Sequence, residues 1–300
     1  MLLVGTTDHL EDVDRQLSLA EDVRVTAIAR QAAVGVSPLM YALFDGDRVV
    51  RVDRDGVTPL ARLGEPAGQS LIADSGSVVV GLAGARLALV DPQGGGVEPL
   101  PAFTAAPGRE GWQNPAGPSP DLRSATVTES GAWLVNVHVG GVWRSVDEGR
   151  TWTGVLAPEV DVHEVVGGLS GRVVAAAAAG VGWSLDDGVT WQWTQAGLHA
   201  PYCRAVAMDG DVVYVTASTG PDTTDGRLYR GTIGGPMEPC ANGVPPAFPF
   251  NLDTGTLDAR GGAVALGTPD GCVYRSADQG VSFEQVTERV GGHLRVVRFG

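Results

Sequence analysis

Seven residues recur through the 300-residue chain at spacings of 40–54 residues: Arg24, Gln69, Arg123, His163, Arg204, Asp253 and Arg295. Each belongs to a short, mostly alternating segment: DVRVTAI, GQSLIA, DLRSATV, DVHEVVG, YCRAVAM, NLDTGTL and HLRVVRF. Four arginines and a histidine in one column is unexpected in a protein of net charge −14. A guanidinium presents a planar fork of N–H donors that matches a carboxylate, so several around one opening would hold an acidic ligand. Two residues earlier stand Asp22, Asp121, Asp161, Tyr202, Asn251 and His293. Residues two apart on a strand share a face, so both columns would line one polar funnel. A second reading stays open at this level: Asp22–Arg24, Asp121–Arg123 and their neighbours neutralise each other.

For the columns to meet, the segments must be strands arranged around an axis. The chain is 43% hydrophobic and 19% charged, with 43 glycines, which suits many short strands joined by tight turns. The spacing matches the period of a propeller blade. Three stretches repeat one turn: SVDEGRTW (145–152), SLDDGVTW (184–191) and SADQGVSF (276–283). In each, the Asp (Asp147, Asp186, Asp278) can accept turn N–H groups, the Gly can take the left-handed conformation, and the last aromatic can point between sheets. The alanine run 175–180 reads as a packed central strand, small because neighbouring sheets approach there. The last inner segment, HLRVVRF, has no successor, and MLLVGTTD has no inner strand before it. The expectation is an all-β, seven-bladed β-propeller over residues 1–300, its closing blade shared by N- and C-terminal strands. Such closure leaves no open sheet edge.

The three repeated turns resemble the Asp-box (BNR) repeat of β-propellers such as sialidases and sortilin-type receptors. NVHVGGVWRS and GLHAPYCRAVA look like bacterial BNR-like proteins often labelled glycosyl hydrolase or exo-sialidase. The resemblance implies a propeller binding module for an acidic small molecule or glycan. Its alternative is a sialidase-like hydrolase or lyase acting in the same pocket. A sialidase would supply an arginine cluster (Arg24, Arg123, Arg204, Arg295), a tyrosine nucleophile (Tyr202) and an acid/base (Asp253). The chain departs from that pattern: it lacks the Arg-Ile-Pro segment, and no Glu is evidently paired with Tyr202.

All five histidines map to the end where the inner strands begin, as do long insertions at 101–120, 218–226 and 236–250. Loops gathered on one face of a rigid scaffold are where binding concentrates. His138, His163 and His199, with Asp161, could hold a divalent metal across neighbouring blades, although they lack the local spacing of a ligand motif. Asn114 and Trp112 sit in the first insertion. Trp112 is either a stacking platform for a ligand or a plug beneath its own loop. Cys203 alternates away from the funnel and reads as a buried thiol. The basic residues are all arginine, and the acidic surface repels phosphate backbones, which argues against nucleic acid. No run of 18 apolar residues is present, and no signal peptide is evident. With three unclustered cysteines, the expected setting is the cytoplasm, with no membrane and with a protein partner left open.

Overall fold

A computed structural model of the chain describes residues 1–31, 39–65, 67–74, 77–94, 96–115, 117–287 and 289–300. Alternation of apolar and polar residues over five to eight positions gives strands, and turn residues cut them into antiparallel hairpins. The result is seven four-stranded sheets. Their innermost strands are Val25–Arg30, Ala67–Asp74, Leu122–Val127, Val162–Gly167, Tyr202–Asp209, Leu257–Arg260 and Leu294–Phe299, here blades 1 to 7. Each inner strand packs on the next, and that of blade 7 returns to blade 1, closing a seven-bladed β-propeller. Blade 7 is built from both chain ends: Leu2–Thr6 pairs antiparallel with Leu294–Phe299 on one side and His9–Asp12 on the other. Among the described residues, helix is confined to Pro101–Thr104 and three short 3-10 turns. None is long and apolar enough to cross a membrane.

The apolar core lies between blades. Val174, Ala176, Cys203, Val206 and Val215 form one such layer between blades 4 and 5. The alanine run supplies the fully buried strand Val173–Ala177. Small residues on the second strands let adjacent sheets approach: a Cβ at Gly5 or Gly267 would collide with the side chain of Val25 or Leu294 on the next blade. Side chains also stitch blades together. Ser124 Oγ accepts Val165 N–H at 3.1 Å, and Asn136 Nδ2 donates to the Val162 carbonyl at 2.8 Å.

The repeated turns join third to fourth strands at the lower end, where the inner strands finish. In the first, Asp147 Oδ1 accepts Ser145 Oγ–H and Thr151 N–H, each at 2.8 Å, and Oδ2 accepts Thr151 Oγ1–H at 2.6 Å. Ser145 Oγ accepts Gly149 N–H at 2.9 Å, with Gly149 in the left-handed region. Asp186 and Asp278 repeat this arrangement. These bonds, led by the Thr190 and Ser282 hydroxyls, hold both carboxyls down to about 2. Trp152 and Trp191 cap their turns, each indole N–H donating to the box glycine's carbonyl at 3.0 Å.

One inner strand departs from expectation. NLDTGTL has the pattern of a strand, but pairing in blade 6 starts only at Leu257. Asp253–Thr256 instead form a turn, closed by Thr256 N–H to the Asp253 carbonyl at 3.1 Å. Asp-Thr-Gly-Thr is turn chemistry, with Gly255 at φ 83° where a side chain would be strained. Interactions with three other blades hold the turn in place. Thr254 Oγ1 donates to the His163 and Arg204 carbonyls at 3.1 and 3.3 Å, Gly255 N–H donates to Glu164 Oε1 at 3.1 Å, and Val297 N–H donates to the Gly255 carbonyl at 3.0 Å.

Candidate functional site at the upper channel mouth

The inner strands surround a central channel of about 1120 Å³. Its upper mouth is lined by Asn114, Asp121, Arg123, His138, Arg204, Asp253, Thr254, His293 and Arg295. Arg123, Arg204 and Arg295 reach a common opening because each follows the last paired residue before the bulge in its blade's inner pairing: Leu122 opposite Val137, Cys203 opposite Ala217, Leu294 opposite Thr6.

Arg24 does not join them. In blade 1 the corresponding pair is Val25 with Phe44, so Thr26, not Arg24, occupies the channel position. Arg24 sits two residues too early, exposed at the rim, its N–H on Asp45 Oδ1 at 2.9 Å. A two-residue slip preserves the alternation, so side-chain pattern alone does not reveal it. The side chain of Gln69 lies outside the described residues.

Arg123 is fixed by Nη1 to His138 Nε2 at 3.1 Å and by Nε to Thr254 Oγ1 at 3.4 Å. A guanidinium only donates, so His138 Nε2 accepts and its proton resides on Nδ1, facing Asp121 Oδ1 at 3.6 Å. Burial, reinforced by the charge of Arg204, pulls Arg123 below the usual arginine range. Arg204 Nη1 pairs with Asp253 and its guanidinium lies 5.5 Å from the Tyr202 ring. Arg295 has neither hydrogen-bond nor ion-pair partner among the described residues. Arg204–Asp253 is thus a self-neutralised pair of the kind the sequence left open, whereas Arg123 and Arg295 keep unspent donors.

Three buried polar atoms in and behind the lining lack a hydrogen-bond partner: Arg204 Nε and Asp121 Oδ1 in lining residues, and Asp161 Oδ1 outside the lining. Such atoms are rare in native interiors and costly. One is a donor and two are acceptors, so the region can both give and receive hydrogen bonds.

The remaining sequence-predicted residues have structural surroundings. His163 is 1% exposed, its Nδ1 on the Cys203 carbonyl at 2.6 Å and its ring 4.7 Å from Tyr202. Burial lowers its pKa, so it is a neutral spacer behind the lining and not a ligand contact. Asp161 Oδ2 lies 3.6 Å from His163 Nε2. His199 is turned to Tyr229 Oη at 2.8 Å and the Asp225 carbonyl at 3.2 Å, away from the channel. The proposed metal set therefore does not assemble: each histidine has its own partner, and no group of three or more His, Cys, Asp or Glu among the described residues is placed to hold an ion. Trp112 is 6% exposed, packed on Phe103 and Trp143 with Arg109 across its face, so it plugs its loop and offers no stacking platform. Burial drives the Cys203 thiol to about 12, consistent with an inert core residue. For the catalytic pair, Asp253 is committed to Arg204, and Tyr202 lies between His163 and Arg204.

Thr254 and Glu164 were missed from the sequence. Glu164 is buried, accepting Val206 N–H at 3.0 Å and Gly255 N–H at 3.1 Å, and burial pushes its carboxyl up to about 7. A lone glutamate inside an apolar strand, VHEVVG, was the available signal for it.

Comparison with known proteins agrees on the fold. The GH74 xyloglucanase of Xanthomonas campestris superposes with TM-score 0.63 at 17% identity, covering 94% of this chain and 46% of that one. The GH74 enzyme of Niastella koreensis gives 0.61 at 15% identity, again with 94% and 46% coverage. The WD40 repeats of RRP9 give 0.63 at 8% identity over 99% of this chain and 88% of that one. The chain thus spans about half the length of the GH74 enzymes. No family model matches the sequence, and no curated protein matches it either. These likenesses define the class as a β-propeller module.

Proposed function

We propose that the protein is a binding module whose upper channel mouth takes a hydroxyl-rich acidic ligand, an acidic glycan or sugar acid. The observation that carries this reading is the mixture at the mouth: arginines with unspent donors beside the part-exposed carboxylate of Asp121. A carboxylate suits Arg123 and Arg295, while sugar hydroxyls can donate to Asp121. The self-neutralised Arg204–Asp253 pair keeps the pocket from being a general anion sink. The glycan class gains support from the fold shared with a xyloglucanase.

Binding is favoured over hydrolysis by the engagement of the candidate acid/base: the Asp253 carboxylate is ion-paired with Arg204. Titration calorimetry with glucuronate, N-acetylneuraminate and glucose tests the reading. An acidic sugar should bind and glucose should not, and Arg123→Ala should weaken binding about tenfold or more, the loss expected for a charge-assisted bond. If no acidic sugar binds, or Arg123→Ala binds as well as wild type, the reading is wrong. Release of aryl alcohol from aryl glycosides would revive the hydrolase.

A further inference from the structure

At the opposite end of the channel a second cationic group stands, contributed by the blades that close the ring. Arg30 ends the inner strand of blade 1, Asp258 and Arg260 lie on that of blade 6, and Arg298 lies on that of blade 7. All four line the channel. Asp258, 5% exposed, is the centre: Oδ2 accepts Arg30 Nη1 at 3.0 Å and Phe299 N–H at 2.8 Å, and Oδ1 accepts Arg298 Nη1 at 3.4 Å. Backbone contacts lock both arginines in place: Arg30 Nη1 to the Phe299 carbonyl at 2.8 Å, and Arg298 Nε to the Ile28 carbonyl at 3.2 Å. This explains the seam between blades 1, 6 and 7, but it consumes only part of the donor capacity.

A guanidinium carries five N–H groups. Nε and Nη2 of Arg30, Nη2 of Arg298 and the whole of Arg260 have no hydrogen-bond partner among the described residues. Arg260 shares its strand face with Asp258 two residues away. Three positive charges therefore surround one carboxylate, in a protein whose net charge is −14. Two further carboxylates line the same end, each engaged by a backbone N–H: Asp209 accepts Gly262 N–H at 2.6 Å and Glu129 accepts Ser170 N–H at 2.6 Å. Glu164, nearer the middle, is taken up by two backbone N–H groups.

We propose that the lower mouth of the channel is a second binding site, where Arg30, Arg260 and Arg298 hold a small divalent oxyanion, either a phosphate or a dicarboxylate. Immediately around Asp258 the three guanidiniums exceed the carboxylate by two charges, with Asp209 and Glu129 engaged by backbone N–H groups further along the same end, and the planar forks set the ligand's chemistry. Burial, with the charge of Arg30 added, lowers the pKa of Arg260, a repulsion that a bound dianion relieves. Phosphate is attracted here although the surface as a whole repels it, because a channel wall focuses the local field.

Calorimetry with inorganic phosphate, succinate and acetate at matched ionic strength tests the site. Wild type should bind phosphate or succinate and bind acetate at least about tenfold more weakly. Phosphate alone marks a tetrahedral ligand; succinate alone or as well marks carboxylates. Arg260 bears no structural contact, so Arg260→Gln should fold normally and weaken dianion binding about tenfold. Arg150→Gln, on an exposed box turn outside the channel lining, should leave it unchanged. Absence of binding at millimolar dianion, equal binding of acetate, an unaffected Arg260→Gln, or loss in Arg150→Gln would each overturn the proposal.

Discussion

The box turns and the channel lining are both built from aspartate, serine, threonine and backbone N–H groups, yet they spend them differently. Within a box, Asp147, Asp186 or Asp278 finds its partners two to four residues away. In the channel, partners come from far along the sequence: Arg123 and Thr254 are 131 residues apart, Arg30 and Phe299 269. The boxes use both carboxylate oxygens locally, whereas Asp121 keeps one oxygen unpartnered. A repeated local motif stabilises the scaffold, and the unrepeated, long-range arrangement leaves polar groups able to meet a ligand.

That contrast predicts a graded response to mutation. The largest effect should come from deleting Met1–Val4, which removes most of the Leu2–Thr6 strand that joins the two chain ends in blade 7. The truncated chain should show no cooperative thermal transition by circular dichroism; a melt like that of wild type would break the claim that long-range closure governs stability. Next, Asp258→Ala strips the carboxylate from two arginines and an N–H at the same seam. Both arginines retain some solvent contact, so the expected loss is about 2–3 kcal/mol in urea denaturation, below the full cost of orphaning a wholly buried pair. A loss no larger than that of a box aspartate would erase the distinction.

Glu164 gives a sharper, pH-dependent reading. Its carboxyl titrates near 7 in the folded chain against an ordinary value of 4.5, because of burial. Between those values the folded state holds the extra proton, so wild-type stability should fall as pH rises from about 4.5 to about 7. Glu164→Gln cannot titrate and should flatten that slope, whatever its overall stability. Parallel wild-type and variant curves across this window would place the titration elsewhere.

The smallest effect belongs to the box. Asp186→Ala should cost about 1 kcal/mol at neutral pH, the net worth of a local hydrogen-bonded turn. The Asp186 carboxyl is depressed to about 2, so the stability it contributes is complete above about pH 4 and disappears as pH falls towards 2. Wild type and variant should therefore converge in acid. A gap that persists at pH 2 would show that the aspartate acts through something other than its charge.

Much of the architecture was legible because each blade repeats a local pattern. The box turns marked third-to-fourth-strand connections, and the unmatched segments at the two ends required a shared blade. The site was legible only in part. Arg123, Arg204 and Arg295 share the upper mouth, but Arg24 fell two residues out of register, since alternation has a period of two and is blind to a slip of that size. Trp112 and His163 went inward because burial outcompetes exposure for an aromatic or neutral ring that finds packing partners. The Asp253–Thr256 turn was hidden within an apparent strand, although its Asp-Thr-Gly-Thr composition carried the warning.

By itself, the sequence determined the number of blades, the place of the repeated turns and the sharing of the last sheet, because those follow from hydrogen bonds between near neighbours and from strand periodicity. Tertiary structure alone decided which charges face one another. Arg204 meeting Asp253, Glu164 receiving Gly255, and three arginines surrounding Asp258 all depend on the rotation of one sheet against another. That rotation is set by packing between blades, where a methyl group more or less at Gly5 or Gly267 changes the approach, and no local pattern encodes it.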